Sequence, residues 1–182
     1  MMKEWRFVGF DDSFKDDRCY IVGCVTASTY VEGFIVDSIE VDGMDVTHKI
    51  ISMVRRSKFR EQFKCIFLSG LTFGGFNIAD INEINRRTGI PVVVVMRKMP
   101  NFQDIERALM NVENYEERIR TIQKAGEIHS LNELFVQLAG CNEDEARLFL
   151  KASTLKGKMP EPLRIAHMVA SAIIHGESRG RA

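Results

Sequence analysis

Hydrophobic and polar positions change period partway along this chain. Residues 5–10 (WRFVGF) are aromatic and β-prone and run into Asp11, Asp12 and Ser13, which predicts a strand ending on carboxylates. Residues 19–27 (CYIVGCVTA) and 31–41 (VEGFIVDSIEV) are the next β-type runs. The short polar links between them suit antiparallel neighbours. After Asp42-Gly43-Met44-Asp45 the spacing becomes helical. Ile50, Ile51, Val54, Phe59 and Phe63 form the apolar side, and Arg55, Arg56, Lys58 and Arg60 the polar one, predicting one helix or two short ones.

The second half alternates strand and helix. Residues 65–68 (CIFL) read as a buried strand, and 77–87 as a helix with Ile78, Ile81, Ile84 and Asn85 on one stripe, stopped by Thr88-Gly89. The unbroken β-branched run 91–96 (PVVVVM) has the pattern of a central strand covered on both faces. Ile105, Ala108, Leu109 and Val112, then Tyr115, Ile119 and Ile122, predict one long helix or two shorter ones closed by Gly126. A weak strand is expected at 134–138. Asn142 with Glu145 resembles a capping box opening a helix over 143–153, and a last helix starts near Pro162 and ends at Gly176. Three β-runs followed by alternating helix and strand give an α/β class, a mixed sheet of about five strands with helices on both faces. That order is the ribonuclease H-like arrangement, although periodicity alone leaves other three-layer folds open. No repeat, low-complexity tract or linker interrupts it, so one domain over 1–182 is expected.

Lys+Arg and Asp+Glu are both 25, a net charge of zero, so any site for a polyanion must be a local patch. The best such patch is Arg55, Arg56, Lys58, Arg60 and Lys64, with Arg86-Arg87 and Arg97-Lys98 as extensions. Cys19, Cys24, Cys65 and Cys141 show no zinc-type spacing and read as small buried hydrophobes with free thiols. The N-terminus has no signal-peptide apolar region. The longest strongly apolar run, 90–96, is far short of the ~20 residues a membrane span needs, which predicts a cytoplasmic protein with no membrane association.

The chemistry concentrates at two acidic points. Asp11 and Asp12 are adjacent on a strand and therefore face opposite ways, with Asp16 and Asp17 nearby. Asp42 and Asp45 follow the third strand. Taken singly, an Asp-rich turn explains the first and a turn with a helix cap explains the second. Taken together, carboxylates at two strand ends can converge on a hard cation such as magnesium, which activates water and steadies a leaving oxygen in phosphodiester cleavage. Residues 69–77 (SGLTFGGFN) form a loop whose glycines allow close backbone approach to a ligand, or serve as a plain connection, and Asp80 lies in the first turn of the helix beyond. Arg164 and His167, three apart on one helical face, could grip phosphate and shuttle a proton. The competing reading is an ion-paired arginine and a satisfied histidine. No GxSxG elbow supports a nucleophilic hydrolase.

Six stretches carry a family resemblance: RFVGFDDSF, VDGMDVT, GLTFGGFNIADI with the following TGIPVVVV, and PEPLRIAHMVA with the closing GESRGRA. Over nearly its whole length the chain resembles the largely archaeal endonuclease dU family. That family is similar in turn to endonuclease V, a ribonuclease H-like, magnesium-dependent nuclease that cuts strands near deaminated bases. The resemblance implies a metal-dependent endonuclease of DNA repair acting on deoxyuridine-containing DNA. It would use magnesium, or manganese in its place, and no organic cofactor. Gly9-Phe10-Asp11 matches the motif of the metal-binding aspartate, and the second acid maps onto Asp42 or Asp45, so the metal would be held by Asp11 with one of these two, and all three are candidate metal ligands. With Asp12 they form the implied catalytic set, and Thr72, Asn77, Arg164 and His167 the substrate-binding set. Two departures stand out. Ser69-Gly70 replaces an aspartate-glycine pair, for which Asp12 or Asp80 could compensate, and Leu163-Arg164 replaces a histidine-arginine pair, with His167 one turn later. A rival reading is a non-catalytic nucleic-acid or nucleotide-binding module on the same fold, its acids confined to turns and caps.

Overall fold

The computed structural model describes residues 4–181. β1 (Arg6–Lys15), β2 (Arg18–Ala27) and β3 (Tyr30–Ser38) form an antiparallel meander, and α1 (Val46–Arg56) crosses to β4 (Phe63–Ser69), which lies parallel to β1. A two-stranded ribbon, β5 (Thr72–Phe73) with β6 (Asn77–Ile78), precedes α2 (Ile81–Thr88) and the parallel strand β7 (Val92–Met96). The helices α3 (Phe102–Leu109) and α4 (Tyr115–Lys124) lead to β8 (His129–Leu131) and β9 (Leu134–Ala139), then α5 (Glu143–Ser153) and α6 (Glu161–His175) complete the chain. The main sheet runs β3-β2-β1-β4-β7-β9-β8. It is mixed, as expected, but has seven strands rather than about five. The additional pairing comes from β8, which is held by β9 alone.

Side-chain alternation assigns each sheet face to a helical layer. Val8, Phe10, Ile66, Leu68, Val92 and Val94 face α1 and α2, where they meet Ile50, Met53, Ile81 and Ile84. Phe7, Phe67, Val93 and Val95 point the other way onto Phe149 and Leu150 of α5 and Leu163 at the start of α6. The valine run of β7 is buried because both its faces are covered. On β1, a Cβ at Gly9 would lie 2.7 Å from the Pro162 carbonyl carbon and 2.8 Å from the Leu163 nitrogen. Glycine here lets α6 pack directly on the strand that carries Asp11 and Asp12.

Several expected boundaries shift. β1 does not end at the carboxylates. It continues through Asp11 and Asp12, paired with Val22 and Ile21, and turns only at Asp16, whose φ is 57°. β3 stops at Ser38, short of 41. Asp80 is the N-cap of α2, accepting from the Glu83 amide at 3.0 Å, and 77–78 is strand. The region after residue 102 is two helices. The capping box at Asn142 and Glu145 is present in both directions. Cys19, Cys24 and Cys65 are buried and Cys141 is half-buried, all as free thiols. Burial pushes the thiols of Cys19 and Cys24 up to about 12. No helix among the described residues is long and apolar enough to cross a membrane.

Candidate functional site

An open cleft of about 420 Å³ lies over the middle of β1 and the end of β4, with Asp11, Asp12, Ser69, Thr72, His167 and Arg181 in its walls. Strand alternation sends the two aspartates to different partners. Asp11, 7% exposed, faces α6, where its Oδ2 lies 3.0 Å from His167 Nδ1. Its Oδ1 accepts from the Asp12 amide at 2.8 Å. Asp12 faces the glycine loop, where its Oδ2 accepts from the Gly74 amide at 2.8 Å and lies 3.7 Å from Cys19 Sγ. Burial, with the charge of Asp11 beside it, pushes the Asp12 carboxyl up to about 6 against the pull of the Gly74 bond.

His167 has an acceptor at each ring nitrogen. Nε2 lies 3.0 Å from the Arg179 carbonyl, which can only accept, and Nδ1 faces the Asp11 carboxylate. The imidazolium is the form that donates to both. The hydrogen bond to Asp11 raises the histidine's affinity for a proton, opposed by partial burial and aided by the Arg179 carbonyl. The cleft thus holds a cation against a buried carboxylate.

The other expected residues form a second cluster. Asp42 is held at φ 53° and its Oδ1 accepts from the Phe76 amide at 2.9 Å. Gly75, at φ 84°, leaves room for that carboxylate, which would collide with any Cβ there. Asp45 Oδ1 accepts from the Glu40 amide at 3.2 Å and from Asn77 Nδ2 at 2.7 Å, and buried Asn77 returns its oxygen to the Val46 amide at 3.0 Å. Arg118, 4% exposed on α4, donates to the carbonyls of Asp42, Gly43, Phe76 and Glu113 at 2.5 to 2.9 Å. This knot adjoins the cleft through Gly74, whose carbonyl accepts from the Asp42 amide at 2.8 Å and whose amide serves Asp12.

Of the predicted residues, the structure therefore brings Asp11, Asp12, Thr72 and His167 to one cleft, while Asp42, Asp45 and Asn77 shape the loop behind it. Arg164 lies apart: its Nε and Nη2 each donate at 2.8 Å to the two oxygens of Glu161, a residue 3% exposed. The basic cluster is also elsewhere. Arg55, Arg60 and Arg87 gather beside Phe63, the β4 residue paired with Arg6 at the opposite end of the sheet. Arg56 is paired with Asp37 at 2.9 Å. Sequence reasoning missed Arg118 and Arg181. Arg118 interrupts the apolar stripe of Tyr115, Ile119 and Ile122, and Arg181 lies in a tail already singled out as a motif.

Apart from His167, whose two ring nitrogens are engaged, the cleft's donors are oxygens: the carboxylates of Asp11 and Asp12 with the hydroxyls of Ser13, Ser69 and Thr72. This set fits a magnesium-like ion, which is held through one or two carboxylates and completes its shell with water and substrate phosphate. It is not a closed cage, and among the described residues no group of three or more His, Cys, Asp or Glu side chains is arranged to hold a metal ion.

Comparisons with known proteins agree on one family. The profile of the family described as Endonuclease dU matches residues 3–174. A UPF0215 protein of Archaeoglobus fulgidus is 59% identical over 181 residues, covering 100% of both chains. One from Methanothermobacter thermautotrophicus is 42% identical, covering 98% of this chain and 92% of the relative. A crystal structure of an Archaeoglobus fulgidus protein superposes with a TM-score of 0.93 at 57% identity, covering 95% of this chain and 100% of that one. Human endonuclease V gives 0.65 at 16% identity, covering 96% and 86%. Endonuclease V of Ciona intestinalis, in complex with a 24mer DNA containing an inosine followed by a ribo-adenosine, gives 0.63 at 12%, covering 95% and 87%. The last two show a shared ribonuclease H-like fold.

Proposed function

The chain belongs to the endonuclease dU family, and on that premise we propose that it cuts phosphodiester bonds in DNA containing deoxyuridine, as a divalent-metal-dependent enzyme of DNA repair. The observation that carries this reading is the pairing of a buried carboxylate with a cation in the open cleft: Asp11 against His167, with Asp12 beside them. Asp11 and Asp12 would hold magnesium or manganese. When bound, such an ion supplies Lewis-acid stabilisation of charge on phosphoryl oxygens. The rest falls to side chains of this chain. The His167 imidazolium holds a proton at Nδ1 on Asp11 and keeps that carboxylate aimed into the cleft. Thr72, on the β5–β6 ribbon, can hydrogen-bond the strand backbone or a displaced base. Asp12 titrates near 6, so it is ionised at neutral pH and becomes protonated on mild acidification.

The test incubates the purified protein with end-labelled duplexes containing uracil, hypoxanthine or neither, in magnesium, manganese or chelator. Cutting at uracil that needs the metal and disappears in Asp11→Asn supports the proposal. Binding without cutting in every metal would move the chain to the class of nucleic-acid-binding modules. That second reading draws its support from Ser69, which leaves the end of β4 without a carboxylate.

A further inference from the structure

The chain does not stop at its last helix. At Gly176, φ 80°, it leaves α6 in a left-handed cap and turns back along the helix that it has just left. Ser178 Oγ donates to the Met168 carbonyl at 2.8 Å, and the Arg179 amide donates to Ser171 Oγ at 2.8 Å. The Arg179 carbonyl reaches His167 Nε2 at 3.0 Å. The helical rise from Gly176 back to His167 is about 13 Å, and residues 177–180 have that reach, roughly 13 Å when extended. The segment ends with Gly180 against the His167 ring and Arg181 in the wall of the cleft.

This return sets the cleft's electrostatics. Two carboxylates alone would repel a phosphodiester. Arg164 cannot compensate, because Glu161 holds its guanidinium in a two-pronged pair away from the cleft. The cations that line the cleft are His167, engaged with Asp11, and Arg181. Among the described residues Arg181 has no carboxylate partner, and its guanidinium can grip two phosphate oxygens at once. We propose that the C-terminal tail is a substrate clamp: Arg181 binds a backbone phosphate of the DNA strand in the cleft, and the Ser171 and Ser178 hydrogen bonds hold it there. The inference deepens the nuclease reading and rests on this cleft receiving nucleic acid.

Binding is read separately from cutting by measuring fluorescence anisotropy of labelled duplexes, with and without uracil, in chelator over a range of salt concentrations. Arg181→Ala should weaken binding about tenfold at low salt, through the loss of one charge-assisted contact, and lower the slope of log K against log salt by about 0.9. Arg181→Lys should restore the slope and part of the affinity. Ser171→Ala frees the tail with Arg181 still present, so it should weaken binding alone yet add nothing to Arg181→Ala. The melting temperature of Arg181→Ala should match the wild type, since among the described residues the side chain has no carboxylate partner to lose. Binding by Arg181→Ala within twofold of wild type and with the same slope would overturn the clamp, as would a binding loss accompanied by a melting shift of several degrees. The clamp and the nuclease reading fail differently. Uracil-specific cutting with a neutral Arg181→Ala removes the clamp alone. No cutting, but an intact Arg181 effect on binding, removes the nuclease alone.

Discussion

Two neighbouring regions contain the same pair of residues and use them in opposite ways. In the loop knot, Asp42 and Asp45 are bound by the Phe76 and Glu40 amides and by Asn77, and Arg118 closes the surrounding carbonyls. In the cleft, half-buried Asp12 has one amide and a thiol, and desolvation, aided by the charge of Asp11, pushes its proton affinity upward. The first pair holds its loop in shape. In the second, Asp12 is held in an environment that disfavours its charge, which a structural role does not require and a catalytic one commonly does. Residue type and one backbone amide per carboxylate are shared, so what separates the pairs is burial and the second partner: Asp11 is buried against His167, whereas Asp42 is exposed.

The sharpest way to break this comparison is Asp11→Asn. It should reduce cleavage at least about a thousandfold, roughly 4 kcal/mol of barrier, with a cooperative unfolding transition retained, whereas Asp42→Asn should leave cleavage within a few-fold. Equal losses from both, measured in one assay, would merge the two regions into one site. Arg118→Met should cost about 3 kcal/mol in urea denaturation, because buried carbonyls lose a charged donor. A cost below 1 kcal/mol would mean that the knot is not held by that guanidinium.

Asp12→Asn sharpens the contrast through pH. The folded-state value near 6 lies above the ordinary 3.8, so the native state binds more protons between those values and stability falls as pH rises from 4 to 6. Asparagine keeps an acceptor for Gly74 without the charge. It should stabilise the protein by roughly 2 kcal/mol at pH 8, with the gain vanishing near pH 4, while cleavage falls. A gain independent of pH would dissociate the effect from ionisation. The smallest effect belongs to His167. Its folded value is raised above 6.5 by Asp11, so its contribution is complete below 6.5 and disappears as pH rises through the higher folded value. Ion pairs partly open to solvent are worth about 1 kcal/mol or less. His167→Gln should flatten the stability profile across that window, and an unchanged profile would remove the ion pair from the account.

How much of this was legible depended on how local each cause is. The capping box at Asn142 and Glu145 depends on residues three apart, and the valine run of β7 announces burial on both faces. By contrast, β8 and the β5–β6 ribbon are short segments whose strand character comes from their partners. The extension of β1 past Asp11 and Asp12 likewise comes from pairing with β2. Within the cleft, strand alternation foretold that Asp11 and Asp12 face apart. Asp11 and His167 stand 156 residues apart in sequence, and only α6 packing on Gly9 makes them neighbours. Arg164 and His167 share a helix face by spacing, yet Glu161 removes one from the cleft, a competition between side chains that spacing does not record. The bottleneck at Gly75 and the four carbonyls on Arg118 are equally invisible before the chain is folded.

The absent side chain at Gly9 has a consequence for motion. With the α6 backbone seated on β1, the strand and the helix N-terminus cannot slide past one another without opening the packed layer between them. In amide hydrogen exchange, the β1 amides around Gly9 and those at the start of α6 should therefore exchange together, through a large cooperative opening. The Gly70 turn after β4, at φ 83° and with open space where a Cβ would sit, lies outside the knot and should exchange through small local fluctuations. The cleft then has a rigid wall at β1 and α6 and a more yielding one between Ser69 and Thr72, from which a strand of variable shape would be accommodated.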